Sequence, residues 1–285
     1  MGEKNLLKQD SSIEEKELKP ISGWIALFIG ILFILSPVFG FINLVNTEND
    51  IFLIVTIILF IVAIFIFCGL KIVNPNESIV FVLFGKYYGT IKKPGFFFVN
   101  PFVSAINPTY ESQVTKLSKV GDKDSEQETT TSNTKKISLK AMTLNNQKQK
   151  VNDELGNPII IGTIVIWRVI NPTKAVFNVE NYKTFLSIQC DSTIRNVARL
   201  YPYDSEDTED YSEKSLRGSS QEIADKLKEE LQKRVEIAGI EVEEVRITHL
   251  SYAPEIAAAM LQRQQAEAII AARKKIVEGA VGMER

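Results

Sequence analysis

Residues 69–102 read GLKIVNPNESIVFVLFGKYYGTIKKPGFFFVNPF and mark the point where the character of the chain changes. Two long apolar runs come directly before this stretch, whereas nearly everything after it is typical of a domain folded in water. Residues 74–76 (NPN) are a turn signal, because proline restricts φ and asparagine tolerates turn geometry. Two runs rich in β-branched and aromatic side chains, residues 78–84 and 96–99, predict strands. The stretch therefore predicts a small β unit directly after a membrane-type segment.

The composition sets broad limits on the class of protein. The chain has 285 residues, 45% of them hydrophobic, which allows one or two domains with a proper core. The formal net charge is -2, from 33 Lys and Arg against 35 Asp and Glu, so no overall basic field indicates a nucleic-acid partner. Two cysteines, Cys68 and Cys190, do not indicate a disulfide framework and are typical of a reducing compartment.

Two apolar segments, residues 22–42 and 51–70, are predicted to be transmembrane helices. Neither contains a charged side chain, and each is close to the roughly 20 apolar residues that cross a bilayer core. Their apolar residues surround the helix instead of leaving a polar stripe. Residues 43–50 are a short external connector, and residues 1–21 form a tail before the hairpin. The sequence therefore predicts a two-helix membrane anchor at the N-terminal end.

The distribution of lysines predicts the orientation of this anchor. Four lysines precede the hairpin and four follow it closely, whereas the connector has no Lys or Arg. The positive-inside rule then places both termini in the cytoplasm, together with the folded domain that follows the hairpin. The prediction is a protein of the cell membrane with two spans. The lysines concerned are Lys4, Lys8, Lys16 and Lys19 before the hairpin, and Lys71, Lys86, Lys92 and Lys93 after it.

A mixed α+β domain is predicted over residues 71–253. Residues 159–170 are apolar on both faces and predict a central strand, and residues 240–250 predict another strand. A low-complexity insertion at about residues 115–135 contains too few apolar side chains to offset the entropy of ordering, so it is predicted to be exposed or disordered.

Two helices are predicted inside this domain. The first has an apolar side that is expected to include Phe185, Ile188, Ile194 and Val197. The second begins with the capping-box pattern of Ser219 and Glu222 and ends before Gly239, which suits the C-terminal end of a helix. Its apolar residues recur at intervals of four: Ile223, Leu227, Leu231 and Val235.

Residues 254–285 are predicted to form a C-terminal oligomerisation helix. Pro254 suits the first helical position, and the segment is rich in alanine, whose small side chain lets helices approach closely. A coiled coil with copies of the same chain is predicted, with a heptad that charged residues interrupt. The candidate interface residues are Ile256, Ala259, Met260, Ala266 and Ile270.

Side chains suited to catalysis or metal binding are sparse. His249 is the single histidine, and it lies in a strand-like segment, where a structural role is commoner than a ligand role. The sequence has no Cys–His pairing, no Gly-Lys-Ser/Thr phosphate loop and no Gly-x-Ser-x-Gly nucleophile motif. It therefore predicts a protein that is not an enzyme and needs neither a metal nor a cofactor.

The basic and aromatic residues 92–98 permit two interpretations. In the first, they form a β-hairpin whose phenylalanines fill the core of the domain. In the second, lysines reach anionic lipid headgroups while phenylalanines enter the acyl boundary. The candidate membrane-interface residues are Lys71, Lys92, Lys93, Phe96, Phe97 and Phe98.

A series of short motifs resembles the SPFH superfamily, which includes stomatin, prohibitin, flotillin and the HflK–HflC proteins. No single motif is diagnostic, but their order extends over about two hundred residues, from Lys71 to Glu278. The motifs are residues 73–77 (VNPNE), 84–87 (FGKY), 89–90 (GT), 94–96 (PGF), 99–102 (VNPF), 167–172 (WRVINP), 239–242 (GIEV), 256–260 (IAAAM) and 265–268 (QAEA), with Arg195 in the intervening helix.

This resemblance implies a membrane-associated α+β domain and a long helix that assemble into rings or cages. It implies a non-enzymatic scaffold that organises a membrane microdomain, with the lipid bilayer and other copies of the chain as partners. A regulatory subunit of a membrane-bound protease is the alternative. Two features differ from relatives: the hairpin has two spans, and the final helix is short beside the coils of flotillins.

Overall fold

The structure, a computed structural model, describes residues 14–47, 50–109, 135–204 and 215–282, without the side chains of residues 36–53, 56, 281 and 282. The insertion predicted at about residues 115–135 lies outside the described residues. The chain divides into two compact units. The first comprises Met1–Ala141, Arg168–Phe185 and Glu236–Glu241, and the second comprises Met142–Trp167, Leu186–Val235 and Val242–Arg285.

The first unit contains two long helices, α1 (Gly23–Thr47) and α2 (Asp50–Cys68). They pack closely, since a Cβ on Gly30 would lie 2.8 Å from the Phe67 ring. Among the described residues, no helix has both the length and the apolar character that crossing a membrane requires.

The described residues of the first unit also form seven short strands. They are β1 (Ile21–Ser22), β2 (Leu70–Val73), β3 (Glu77–Leu83), β4 (Lys86–Ile91), β5 (Gly95–Phe98), β6 (Ser104–Ala105) and β7 (Ile137–Ser138). One sheet has the order β1-β5-β2, and the other has the order β4-β3-β6 with β7 also paired to β3. The core contains Val73, Ile79, Phe81, Ile91, Val99 and Val103. The two strands predicted around residues 78–84 and 96–99 are therefore confirmed as β3 and β5.

The short helix α3 (Pro172–Phe177) also belongs to the first unit. Asn171 caps it, because its side chain accepts a hydrogen bond from the Lys174 amide. The chain returns to this region at the 3-10 helix Glu236–Ala238, which ends at Gly239 with φ +64. A Cβ on Gly239 would lie 2.5 Å from the Asn171 carbonyl oxygen, so the close approach requires glycine.

The second unit is built on the strands β8 (Met142–Asn152), β9 (Pro158–Val169) and β10 (Ile240–Tyr252). The last two residues of β9 and the first two of β10 are counted with the first unit. The order β10-β9-β8 confirms that the apolar run at residues 159–170 is a central strand. Its helices are α4 (Tyr182–Ala198), which begins in the first unit, α5 (Ser220–Val235) and α6 (Pro254–Gly282). The mixed α+β class is confirmed.

The predicted apolar side of α4 is wrong in part. Ile194 and Val197 are buried as expected, but Leu186 and Cys190 are buried beside them, whereas Ile188 is exposed. The buried positions 186, 190, 194 and 197 follow the helical repeat, and Ile188 lies about 200° from Leu186 around the helix axis. For α5, the predicted buried face of Ile223, Leu227, Leu231 and Val235 is confirmed.

Candidate membrane interface

Gly69 joins α2 to the sheet of the first unit. Its carbonyl oxygen accepts a hydrogen bond of 2.9 Å from the Val99 amide, and its own amide donates to the last turn of α2. A Cβ at this position would lie 2.4 Å from the Val99 carbonyl oxygen and 2.5 Å from the Phe98 ring. The end of α2 is therefore held against β5 at a distance that only glycine allows.

The three phenylalanines of the predicted interface occupy three different environments. All three lie on strand β5, which pairs with β1 on one side and β2 on the other. Phe96 packs edge-to-face on Trp24 at a centroid distance of 5.8 Å. Phe97 packs on the core of the first unit, and Phe98 covers Gly69. The core interpretation therefore fits Phe97, whereas Phe96 is in contact with the first turn of α1.

The three lysines of the predicted interface also differ. Lys92 Nζ lies 2.7 Å from Glu15 Oε2 and donates a hydrogen bond of 3.1 Å to the Ile170 carbonyl oxygen. Lys71 is half-buried on β2, opposite Phe97. Lys93 is exposed. Of these three lysines, Lys93 is therefore the most exposed to solvent, whereas Lys92 is held by its ion pair with Glu15.

Glu15, the partner of Lys92, belongs to residues 14–20, which we call the N-terminal strap. The strap adds to the edge of β4, where the Thr90 amide donates to the Lys16 carbonyl at 2.9 Å and the Leu18 amide donates to the Thr90 carbonyl at 3.0 Å. The hydroxyl of Tyr87 lies 2.8 Å from Thr90 Oγ1. The strap was not predicted, because its sequence shows no strand periodicity.

The first turns of α6 are attached to the second unit by polar contacts. Lys150 Nζ lies 2.6 Å from Glu255 Oε1, and the hydrogen bond from Lys150 lowers the pKa of Glu255 below its usual range. Further along, Gln264 Nε2 donates to Asp204 Oδ2 at 3.2 Å. The beginning of α6 therefore has a fixed attachment, which leaves its later turns unsupported.

The residues of the predicted oligomer interface differ in exposure between the attached first turns of α6 and its later turns. Ile256 and Met260, near the attachment, are half-buried, whereas Ala259, Ala266 and Ile270 are exposed. Ala259, Ala266 and Ile270 are spaced by seven and four residues, and Val277 continues the series seven residues later. These spacings place them on one line of the helix. We call these four residues the α6 stripe.

The described residues show little that is suited to catalysis. His249 Nε2 lies 3.1 Å from Ser251 Oγ on the same strand, which fits the structural role predicted for it. Cys190 is buried against Asn146 and Thr163, and burial raises the pKa of its thiol, which keeps it in the unreactive protonated form. Within the described part of the chain, no cluster of three or more His, Cys, Asp or Glu residues is arranged to hold a metal ion.

Comparison with known proteins identifies the family. The chain matches the SPFH domain / Band 7 family over residues 71–280, and it belongs to this family. It is also 28% identical over 146 residues to a stomatin homologue of Pyrococcus abyssi, a match that covers 51% of this chain and 44% of the relative. The chain thus spans less than half the length of the curated relative it matches. The resemblance read from the short motifs is confirmed at the level of the superfamily.

Proposed function

We propose that this protein is an oligomeric membrane scaffold that organises a membrane microdomain and its resident proteins. The observation that carries the proposal is the apolar exterior of α1 and α2. In α1 the exposed side chains include Trp24, Phe28 and Leu32, and in α2 they include Ile54, Phe60 and Phe65. An apolar surface this extended is typical of contact with lipid or with another protein.

In the proposed arrangement, the α1–α2 hairpin anchors each subunit in a lipid bilayer. Both termini lie in the cytoplasm, and the β sheets of the first unit lie at the membrane surface. The excess of lysines on either side of the hairpin supports this orientation. Phe96, against Trp24, and exposed Lys93 extend the candidate interface from the hairpin onto β5.

Copies of the chain assemble through the α6 stripe. Ile270 is 67% exposed and Val277 is 62% exposed, so the described chain leaves these apolar side chains uncovered. The alanines of the stripe allow a second helix to approach closely. Burying this line of residues against a second copy removes apolar area from water, which favours association.

Gel filtration of the detergent-extracted full chain tests the assembly. We expect an oligomer over a wide range of protein concentrations, and a monomer at every concentration would contradict the scaffold. The variant Ile270→Asp should lower the apparent molecular mass, because it places a charge in the stripe. Leu261→Asp is the matched control, since Leu261 is 56% exposed but lies nine residues away, about half a turn around the helix. Equal effects of the two variants would reject the stripe as the interface.

The proposed scaffold acts without catalysis and without a cofactor, so its effects depend on what it gathers. Regulation of a membrane-bound protease is the alternative function proposed from the resemblance. Purification of the full chain from native membranes distinguishes the two. A protease recovered in constant ratio, with altered turnover of its substrates after deletion of the chain, would favour the regulatory function. Recovery of lipid and many different proteins without a protease would favour the scaffold.

A further inference from the structure

The turn between β3 and β4 carries a phenylalanine in an unfavourable conformation. Leu83 pairs with Lys86, so Phe84 and Gly85 form a two-residue loop. Their φ angles are +46° and +81°, and a type I′ turn requires positive φ at both central positions. Asn-Gly is the preferred pair for such a turn, and a bulky side chain at positive φ is strained. The backbone of this turn therefore does not explain why a phenylalanine is present.

The packing of the first unit does not explain Phe84 either. Its side chain is 84% exposed, the highest value among the exposed large apolar residues of the described chain. An exposed aromatic ring forgoes the stabilisation that burial provides. Both the backbone and the side chain of Phe84 are thus unfavourable in the isolated subunit, which indicates a contact with something outside it.

Phe84 is the end of a row of aromatic side chains that begins in α2. Its ring stacks on Phe102 at a centroid distance of 6.5 Å and an interplanar angle of 28°. Phe102 is 60% exposed and lies 5.8 Å from Phe65, three residues before the end of α2. We call Phe65, Phe102 and Phe84 the aromatic tip. It connects the exposed surface of α2, near its last turn, with the turn between β3 and β4.

We propose that the aromatic tip inserts into the interfacial layer of the bilayer that holds α1 and α2. The inference rests on the proposed membrane anchoring, and it names a lipid-contacting element that lies outside residues 92–98. Continuity with α2 selects lipid as the occupant, because Phe65 lies on the helix whose exterior is proposed to face lipid. Lys86 follows Gly85 and is exposed, so its ammonium group is placed to meet anionic headgroups while the rings enter the boundary.

Quenching of tryptophan fluorescence by brominated lipid tests the proposal on the full chain. Trp24→Phe removes the exposed native tryptophan, and Trp167 is buried. Phe84→Trp is then made in this background, and the protein is reconstituted in phosphatidylcholine–phosphatidylglycerol vesicles with or without bromine near the headgroup end of the acyl chains. We expect emission from the tryptophan at position 84 to fall at least about twofold with brominated lipid, as for an interfacial aromatic side chain.

Ile237→Trp in the same background is the matched control. Ile237 is 56% exposed and belongs to the same unit, but it lies on the 3-10 helix beside Asn178. Quenching of position 84 and not of position 237 supports the proposal. Equal quenching at both positions overturns it, and so does a blue-shifted but unquenched emission at position 84, which would assign the tip to a protein contact. Loss of the chain from the vesicles overturns the anchoring itself, so the two failures are distinguishable.

The stability of Phe84→Asn tests whether Phe84 is unfavourable for the fold of the isolated subunit. Asparagine is favoured at this position of a type I′ turn, so we expect the variant in detergent to unfold at a temperature about 1–3 °C higher than the unmodified chain. A decrease of similar size would mean that Phe84 supports the fold of the subunit. That result would overturn the inference that its purpose is an external contact.

Discussion

At the scale of single residues, glycines decide where the helical hairpin can meet the β sheets. Gly69 has a carbonyl oxygen bonded to the Val99 amide and no room for a side chain. Gly239 approaches Asn171 in the same way at the start of β10. Gly279, in α6, has no atom within 4 Å of a Cβ built on it. The same residue type is therefore essential at two positions and dispensable at the third.

Gly69→Ala is expected to lower the stability of the first unit. The added methyl group would overlap the Val99 carbonyl oxygen and the Phe98 ring, and overpacking of this kind costs about 1–3 kcal/mol. Thermal unfolding of the detergent-solubilised chain measures the effect. Gly279→Ala is the control, because alanine favours helix and meets no neighbour, so its melting temperature should be unchanged or slightly higher. A neutral Gly69→Ala would show that α2 and β5 are not held as closely as described.

Tyr182, the first residue of α4, should give the protein a dependence on alkaline pH. Burial raises the pKa of its phenol to about 12. Because the folded pKa lies above the unfolded one, this contribution to stability is complete below about pH 10 and is lost as the pH rises through about 12. The free energy of unfolding should fall by on the order of 3 kcal/mol across this window.

Titration of phenolate absorbance checks this directly, and Tyr182→Phe supplies the comparison. The variant should lack one tyrosine that ionises near pH 12, and its stability should decline less between pH 10 and 12. Identical alkaline profiles for the two proteins would contradict the prediction.

At the scale of elements, the N-terminal strap gives Lys92 a structural role that the sequence did not predict for it. Lys92 and Lys93 are adjacent in sequence, but their side chains have different surroundings. Lys92 pairs with Glu15 and bonds to Ile170, so it holds the strap on the first unit. Lys93 is exposed and retains the role proposed for both. Both lysines lie in the connection between β4 and β5, and the partner of Lys92 comes from the distant N-terminal strap, which a count of charges does not reveal.

The charge reversals Lys92→Glu and Lys93→Glu should therefore have different effects. Lys92→Glu places a carboxylate beside Glu15, so it should release the strap and increase proteolytic cleavage within residues 14–20. Lys93→Glu should leave cleavage unchanged and weaken the response of the reconstituted chain to anionic lipid, by about 1 kcal/mol for one lysine near the surface. Limited proteolysis and lipid titration measure the two effects. If both variants altered lipid response alone, the strap would not depend on Lys92.

At the scale of the whole molecule, the proposal requires a hairpin whose connector and folded domain lie on opposite sides of a bilayer. Lysines flank the hairpin on both sides and are missing from the connector, residues 43–50. The exposed apolar side chains of α1 and α2 supply the surface for lipid. The α6 stripe supplies a surface for assembly. These surfaces belong to separate parts of the chain, so each is open to a separate test.

Labelling of single cysteines in intact cells tests the orientation. In a background without Cys68 and Cys190, Asn46→Cys, in the connector predicted from sequence and at the end of α1, should react with a membrane-impermeant maleimide. Lys93→Cys should react only after the cells are opened, because the domain is proposed to be cytoplasmic. Labelling of Lys93→Cys in intact cells would reverse the orientation, and labelling of both positions there would exclude the two-span hairpin.

Strands and helices were predictable where side-chain periodicity is strong. β9 is apolar on both faces, and α5 repeats apolar residues at intervals of four, so both were identified. β8, with the sequence MTLNNQKQKVN, was missed because its side chains are mainly polar and mostly exposed, and it is a strand through its antiparallel pairing with β9. On α4, the exposed Ile188 was assigned to the apolar side because hydrophobicity alone does not define which arc of a helix is covered.

The sequence by itself determined the class of this protein: a long apolar N-terminal segment, an α+β domain and a final alanine-rich helix of the SPFH family. These properties depend on composition, periodicity and ordered motifs, all of which are local. Only the tertiary structure decided that Lys92 is paired while Lys93 is exposed, and that Phe84 stacks on Phe102 beside α2. The physical reason is that exposure and pairing depend on residues distant in sequence, which come together only when the chain folds.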